Sequence, residues 1–557
     1  MEEQMNMKTK RRLRMTVQGM TCEDCNRHVA EALQRAGAND ARADFRRGEA
    51  VFTFAGDDTA PLAAAVNAAG YRPGRLEVLE DVSVRPPVRK GSQQTYDLVI
   101  LGAGSAAFAA AIRARDLGVR VAMVEAGTIG GTCVNVGCIP SKAVFRASEV
   151  HYEAAHHGFA GITTRAGKPD LAAVVAQKDE LVAALRQEKY ADLVDAYGFD
   201  FIKGHGRFTG PTELAVDGRP LHAERFLIAT GASPWAPPIP GLEETGYLTS
   251  TTGLDLKERP RSLAVIGGNA IGLEMGQYFA NLGSKVTILE VLPRIAPFED
   301  PEVSAAITRV LDDEGLRIIT GAQIERVARS DGKVTIGGRA EGNAITVRVD
   351  QLLVATGRRA NTADMGLDVA GVQLDQRGSI AVDDMLRTTN SRVWAAGDCT
   401  PAPQFVYVAA YEGALAVDNA IGNKSRTVDF RALPRVTFTR PQIASAGLTE
   451  EQAHQAGYEV RVSTMPLDVI PRALVNRDTR GLFKLVADAK TDQLLGAHIM
   501  AESAGDVILS AVYAVKFHLT IADLSETFHP YLTMAEGMKL AAQTFTRDVA
   551  KLSCCAA

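Results

Sequence analysis

Long apolar runs are missing from this 557-residue sequence, and no window reaches the ~18 uninterrupted apolar residues that a membrane-spanning helix needs. The most apolar stretch, residues 106–124, is broken by Arg113, Arg115, Asp116 and Arg120. A strong charge of one sign is missing too. The net charge of −5 gives no electrostatic reason to expect nucleic acid or an anionic membrane as partner. Cysteine is scarce: seven in so long a chain excludes the disulfide framework of a small secreted protein. Residues 1–15 carry basic side chains, but no apolar core or small-residue cleavage site follows them, so they do not read as a secretory signal. Stable membrane insertion is therefore not expected, and a cytoplasmic location is.

The few cysteines are not scattered. Six fall into the pairs Cys22/Cys25, Cys133/Cys138 and Cys554/Cys555, with Cys399 alone. Close pairs outside a disulfide framework point to redox chemistry or soft-metal binding. The length exceeds what one hydrophobic core supports, so three or four domains are expected.

Residues 11–80 read as a small βαββαβ unit, with strands at 13–18, around 43–54 and at 75–79 and helices at 26–36 and 60–69. Residues 81–94 (DVSVRPPVRKGSQQ) are Pro-rich, charged and without periodicity, which makes them a linker. The texture then changes. YDLVILGAG, at 96–104, is a continuous apolar strand of the kind buried in parallel sheets, ending in glycines before a helical pattern. SLAVIGGNAIGLE, at 262–274, repeats the device, so two dinucleotide-binding Rossmann-like folds are expected in an α/β chain. From about 434 onward strands and helices mix without a Gly-rich loop, which suits an α+β dimerisation domain.

In the first fold Gly102, Gly104 and Ala107 fit G-x-G-x-x-G/A. Gly102 permits the tight turn, Gly104 lets backbone amides approach a pyrophosphate, and Ala107 lets helix and strand pack closely. Glu125 ends the next strand, placed to accept from ribose hydroxyls. In the second fold Gly267 and Gly272 occupy the first and third glycine positions, and Asn269 stands at the middle one. Asn tolerates unusual backbone angles better than most residues, so its presence does not exclude binding. Glu290 ends the following strand, where a carboxylate accepts a free 2′-hydroxyl and repels a 2′-phosphate. That favours NADH, although Arg294 lies close enough to complicate the choice. GGTCVNVGCIPSK, at 130–142, places Cys133 and Cys138 at a strand-to-helix junction, where a helix N-terminus favours thiolate.

This segment, with ATG at 229–231, ATGRRAN at 355–361 and AAGDC at 395–399, resembles the pyridine nucleotide–disulfide oxidoreductase family. The resemblance covers the chain from Tyr96 onward. It implies FAD in the first fold, NAD(P)H in the second, and a homodimer. It also implies that Cys133–Cys138 is a redox-active disulfide beside the flavin, with Cys138 the flavin-side thiolate and Cys133 the interchange thiol. Lys142 is then expected near flavin N5, Asp398 at the ribityl chain, and Gly127, Thr132 and Val406 against the cofactor. The domain boundaries that follow are 95–240 and 358–430 for FAD, 241–357 for NAD(P)H and 431–557 for dimerisation.

GMTCEDC, at 19–25, resembles the heavy-metal-associated domain of copper chaperones and metal-pumping ATPases. Cys22 and Cys25 are expected on an exposed loop as metal ligands. A lone C-x-x-C also fits a thioredoxin-type motif, but the βαββαβ context favours metal. Adjacent Cys554 and Cys555 have Cα atoms ~3.8 Å apart, tighter than the ~4.4–6.8 Å of a relaxed disulfide, and suit capture of a soft cation as free thiols. With QFVYVAAYEG at 404–413 and PYLTMAEGMKLAAQTF at 530–545, these features resemble the Hg(II)-reducing branch of the family. That branch implies Hg(II) as substrate, Tyr190 and Tyr531 as active-site tyrosines, and tail cysteines acting in the other subunit's site. Cys22/Cys25, Cys554/Cys555 and Cys133/Cys138 then form a relay of metal-binding thiols. The family commonly uses NADPH, against the sign of Glu290. His529–Pro530 keeps the His-Pro of disulfide-reducing relatives, but Met534 stands where their paired Glu is found and the nearest acid is Glu536. A low-molecular-weight disulfide reductase, or a dihydrolipoamide dehydrogenase-like enzyme, fused to a metal module is therefore the alternative. A metal-buffering protein is a further one. Cys399 is expected to be structural.

Overall fold

A computed structural model describes residues 10–54, 56, 58–82 and 95–548. The chain divides into two compact units. In the smaller, β1 (Lys10–Gln18), α1 (Glu23–Arg35), β2 (Asn39–Asp44), β3 (Glu49–Phe54), α2 (Ala60–Ala68) and β4 (Arg72–Val82) follow one another. The antiparallel sheet has the order β2-β3-β1-β4, the ferredoxin-like arrangement expected from the pattern. Alternate residues Leu13, Met15 and Val17 of β1 point into the core, and α1 covers them with Cys25, Val29, Ala32 and Leu33. β4 runs into the stretch read as a linker, pairing Val82 with Lys10.

The larger unit opens with β5 (Thr95–Leu101), α3 (Ser105–Asp116), β6 (Val121–Glu125), α4 (Gly131–Asn135) and α5 (Cys138–His156). β5 is the centre of a parallel array, with β6 and Asp200–Lys203 on one side and Arg219–Ile228 and Val393–Ala395 on the other. Its last four residues are buried because helices and strands cover both faces. Val393–Ala395 comes from far along the chain, so the first nucleotide fold is completed by a segment that follows the second in sequence. The second is a parallel sheet of order Arg317–Ile319, Lys285–Leu289, Ser262–Ile266, Gln351–Val354. A five-stranded antiparallel sheet, with Leu494–Ala501 at its centre and helix Ala504–Lys516 packed on it, forms the C-terminal part.

Buried Lys484 ties this last sheet to the second nucleotide fold. Its ammonium lies 2.7 Å from Asp300, 2.8 Å from Glu302 and 2.6 Å from Glu450. Those three carboxylates are, among the described residues, a group spaced to hold a metal ion, and the ammonium already supplies the positive charge. No helix among the described residues is long and apolar enough to cross a membrane.

Candidate functional site

Both nucleotide loops are shaped by glycines that nothing larger could replace. Gly102 has φ +112°, and a Cβ there would lie 2.3 Å from the Ala229 carbonyl oxygen. α3 begins three residues later and aims its first amides at the loop. Glu125 accepts the N–H of Ala103 at 2.8 Å and of Gly127 at 2.5 Å. It braces the loop while keeping lone pairs for ribose hydroxyls. In the second loop Gly267 has φ +111°, and a Cβ on Gly272 would lie 1.9 Å from the Gly267 carbonyl oxygen. Asn269 has an ordinary extended backbone, φ −107° and ψ −173°, so the expected tolerance of unusual angles is not used. Strand Lys285–Leu289 stops one residue short of Glu290, whose carboxylate accepts the Gly268 N–H at 2.6 Å and the Leu292 N–H at 2.8 Å.

One cavity of about 1820 Å³ joins the two loops. Drug-sized sites run to roughly 1,000 Å³, so this one has room for two extended dinucleotides. Of the residues read as cofactor-binding, Gly102, Gly104, Glu125, Gly127, Thr132 and Lys142 line it from the first fold. Gly267, Glu290, Asp398 and Val406 also line it. Ala107 and Gly272 are instead buried in the packing beneath their loops. The glycine cradles, helix N-termini and bracing carboxylates fit a flavin dinucleotide in the first loop and a nicotinamide dinucleotide in the second.

Cys133 and Cys138 face this cavity from two helices rather than from a bare strand-to-helix junction, Cys133 inside α4 and Cys138 as the first residue of α5. A Cβ on Gly131 would lie 2.6 Å from the Gly104 Cα, so α4 rests directly on the nucleotide loop. Both thiols are free. The hydrogen bond from the Cys133 thiol, with the nearby Lys142 ammonium, holds the Cys138 thiol down at about 7 against its desolvation. The same hydrogen bond, with burial, pushes Cys133 up. The pair is thus built as one thiolate and one thiol. Lys142 Nζ lies 2.6 Å from Glu274 and over the Phe438 ring, and Glu274 also accepts the Phe438 N–H at 2.9 Å. Tyr190 sits in a π-helical turn, Gln187–Ala191, edge-on to Phe108 and against Gly130. Burial pushes its phenol pKa up, and its hydroxyl meets Ser105.

The second sulfur site lies in the smaller unit. Cys22 caps α1 and is exposed, but Cys25 is a first-turn residue and only 9% exposed. The expectation of two ligands on an exposed loop is corrected here: position 25 belongs to the apolar stripe that α1 turns to the core. The two sulfurs are 3.1 Å apart. The Thr21 N–H, 3.4 Å from Cys25 Sγ, and then the Cys22 thiol and the Tyr71 hydroxyl lower the Cys25 pKa to about 6. Tyr71→Phe should therefore raise the thiolate midpoint, read from ultraviolet absorbance against pH. An unchanged midpoint would show that the hydroxyl does not reach the sulfur.

A family model described as pyridine nucleotide-disulphide oxidoreductase matches residues 96–413, more than half of the chain. The chain belongs to this family. Its dimerisation-domain model matches residues 433–542, and the heavy-metal-associated domain model matches residues 14–72. The mercuric reductase of Bacillus cereus is 51% identical over 554 residues, spanning 98% of this chain and 87% of that protein. The mercuric reductase of Staphylococcus aureus is 50% identical over 548 residues, 98% and 100% of the two chains. Among solved structures, the Cu(II) complex of the HOCl-induced flavoprotein disulfide reductase RclA from Escherichia coli superposes with a TM-score of 0.74 at 33% identity. That match covers 82% of this chain and all (100%) of the other.

As a member of the pyridine nucleotide-disulphide oxidoreductases, the chain carries several site residues that the sequence reading passed over. Glu274 and Arg358 lay inside quoted motifs without a role. Arg358 reaches the Thr132 hydroxyl at 3.4 Å and the Ala232 carbonyl, and it lies 3.9 Å from Asp398. Glu412, 1% exposed, accepts the Gly397 N–H at 2.7 Å and fixes the turn that presents Asp398; burial raises its pKa to about 7. Tyr531 and His529 do not line the cavity of this chain. Tyr531 is 55% exposed, and His529 Nδ1 faces the Thr527 carbonyl at 3.1 Å. Glu536 is buried with Oε2 lacking a hydrogen-bond partner. Cys399 is fully buried, and burial pushes its thiol up to about 11, as a structural cysteine requires. Cys554 and Cys555 lie outside the described residues.

Proposed function

We infer that this protein is a mercury(II) reductase, passing two electrons from NAD(P)H to thiol-bound Hg(II) and releasing Hg(0). One observation carries the reading: Cys133 and Cys138 open onto a two-dinucleotide cavity in a chain that also bears a second cysteine pair, Cys22 and Cys25, with sulfurs 3.1 Å apart. FAD, when bound in the first fold, supplies the two-electron relay between the nicotinamide and the dithiol.

The residues themselves do the rest. Gly102, Gly104, Thr132 and Asp398 hold the flavin dinucleotide, with Glu125 bracing its loop, and Gly267 and Glu290 hold the nicotinamide one. Lys142, paired with Glu274, keeps positive charge beside Cys138. Cys138 offers a thiolate at neutral pH, and Cys133 yields its proton as a soft cation takes its place, so both sulfurs ligate Hg(II). Tyr190 closes one side of the pair. Tyr531 is supplied by the partner subunit, consistent with its exposure in the dimerisation domain. Hg(II) arrives on Cys22 and Cys25 and passes by thiolate exchange to the partner's tail pair at 554 and 555. From there it passes to Cys133 and Cys138, and the ion is never released. Product Hg(0) carries no charge, has no further claim on the thiolates, and leaves. The reaction needs reduced thiols and NAD(P)H, which places the enzyme in the cytoplasm.

In excess thiol, Hg(II) should accelerate NAD(P)H oxidation far more than glutathione disulfide does; the reverse ranking would make the chain a disulfide reductase. Removing the last four residues should slow turnover of thiol-bound Hg(II). An unchanged rate would remove the tail from the relay.

A further inference from the structure

We propose that Glu290 makes this enzyme selective for NADH over NADPH, so that the reductant lacks a 2′-phosphate. The proposal rests on the reductase reading and specifies its reductant. Glu290 is only 6% exposed yet lines the cavity beside the second nucleotide loop. Its two oxygens are fixed by the Gly268 and Leu292 amides, so the side chain has no freedom to turn away. A Cβ built on Gly268 would lie 3.2 Å from Glu290 Oε2, which puts the carboxylate directly against the glycine loop. Each carboxylate oxygen keeps a lone pair for a ribose hydroxyl. A phosphate in the same place would meet a negative charge that cannot move.

No described residue nearby compensates. Val291, Leu292 and Phe298, which line the adjoining wall, are apolar and 64%, 40% and 65% exposed. Such a wall covers an adenine face and offers a phosphate no donor. Arg294, the cation close in sequence, is turned into its own loop, where Nη2 donates to the Pro297 and Glu299 carbonyls at 3.0 and 3.2 Å. It does not line the cavity. The basic residues that do are Lys142, His205 and Arg358. Lys142 is paired with Glu274, Arg358 with the Thr132 segment, and His205 belongs to the first fold beside β6. Among the described residues, the 2′-position therefore has a fixed anion and no cation.

Calorimetric titration of the FAD-loaded full chain with NAD+ and NADP+ tests this without turnover. NAD+ should bind at least about tenfold more tightly, the scale of one charge-assisted hydrogen bond gained against a like charge met. Equal or tighter NADP+ binding would overturn the proposal and leave the reductase reading intact. Binding of neither nucleotide would overturn both. Glu290→Gln keeps the shape and one of the two amide contacts but removes the charge, and should bring the two affinities closer together. An unchanged ratio would show that another group sets the choice. Titration with 5′-AMP and 2′-AMP confines the comparison to the adenosine half, where the same order is expected and the opposite order would contradict it.

Discussion

Replacing Cys138 by serine should abolish Hg(II)-dependent NAD(P)H oxidation, a loss on the order of a thousandfold or more, because the residue is both thiolate and metal ligand. A serine hydroxyl has neither the acidity nor the soft lone pairs that Hg(II) prefers. The loss should come without unfolding, since Cys138 is exposed to the cavity and packs no core. Cys133→Ala should be equally inactive and should also move Cys138. Its largest source of thiolate stabilisation is the hydrogen bond from Cys133, so the Cys138 midpoint should rise from about 7. The pH profile of the parent follows from the same group. A depressed thiol pKa means thiolate is populated above it, so the rate should climb as pH passes upward through about 7 and fall below it. Lys142→Met should displace that rise to higher pH. Rapid-mixing rates against pH for the parent and Lys142→Met, with thiolate absorbance against pH for Cys133→Ala, check the whole set, and a pH-independent parent would contradict it.

Gly102→Ala should yield protein with little or no visible flavin. Two penalties coincide there. Left-handed backbone costs an L-residue about 1–2 kcal/mol, and the new Cβ meets a backbone carbonyl at 2.3 Å that cannot rotate away. Either the loop shifts off the helix N-terminus or β5 parts from Arg219–Ile228, and both displace the pyrophosphate cradle. Gly218→Ala isolates the first penalty, having φ +79° but nothing within 4 Å of its Cβ. It should keep its flavin. If the two variants retain flavin equally, the loop is more pliable than its packing indicates.

The fold was largely legible because its signals are local. A continuous apolar strand, glycines and a helix within a dozen residues announce each nucleotide fold, and the alternation in β1 announces the small sheet. The cysteine pairs were legible for the same reason. What escaped is contact between distant residues. Lys142 was expected beside the flavin, but its partner Glu274 lies 132 residues away. Arg358 lies 226 residues from the Thr132 that it holds. Tyr71 touches Cys25 only because β4 closes the sheet behind α1. The burial of Cys25 could have been read, since positions 25, 29, 32 and 33 form one helical stripe. The role given to Asn269 was wrong in its reason: the loop is extended there, and Gly267, with φ +111°, carries the tight turn. Glu290 lies one residue past the strand that it was expected to end. That its oxygens are pinned by two amides, and that Arg294 turns away, only the folded loop could show.

The most direct measurement is to sweep the reaction with inert gas and trap elemental mercury while following NAD(P)H oxidation in excess thiol. One mercury atom volatilised per nicotinamide oxidised, abolished in Cys138→Ser, is the result predicted here. Steady nicotinamide oxidation with no trapped mercury would mean that the electrons leave the dithiol for some other acceptor.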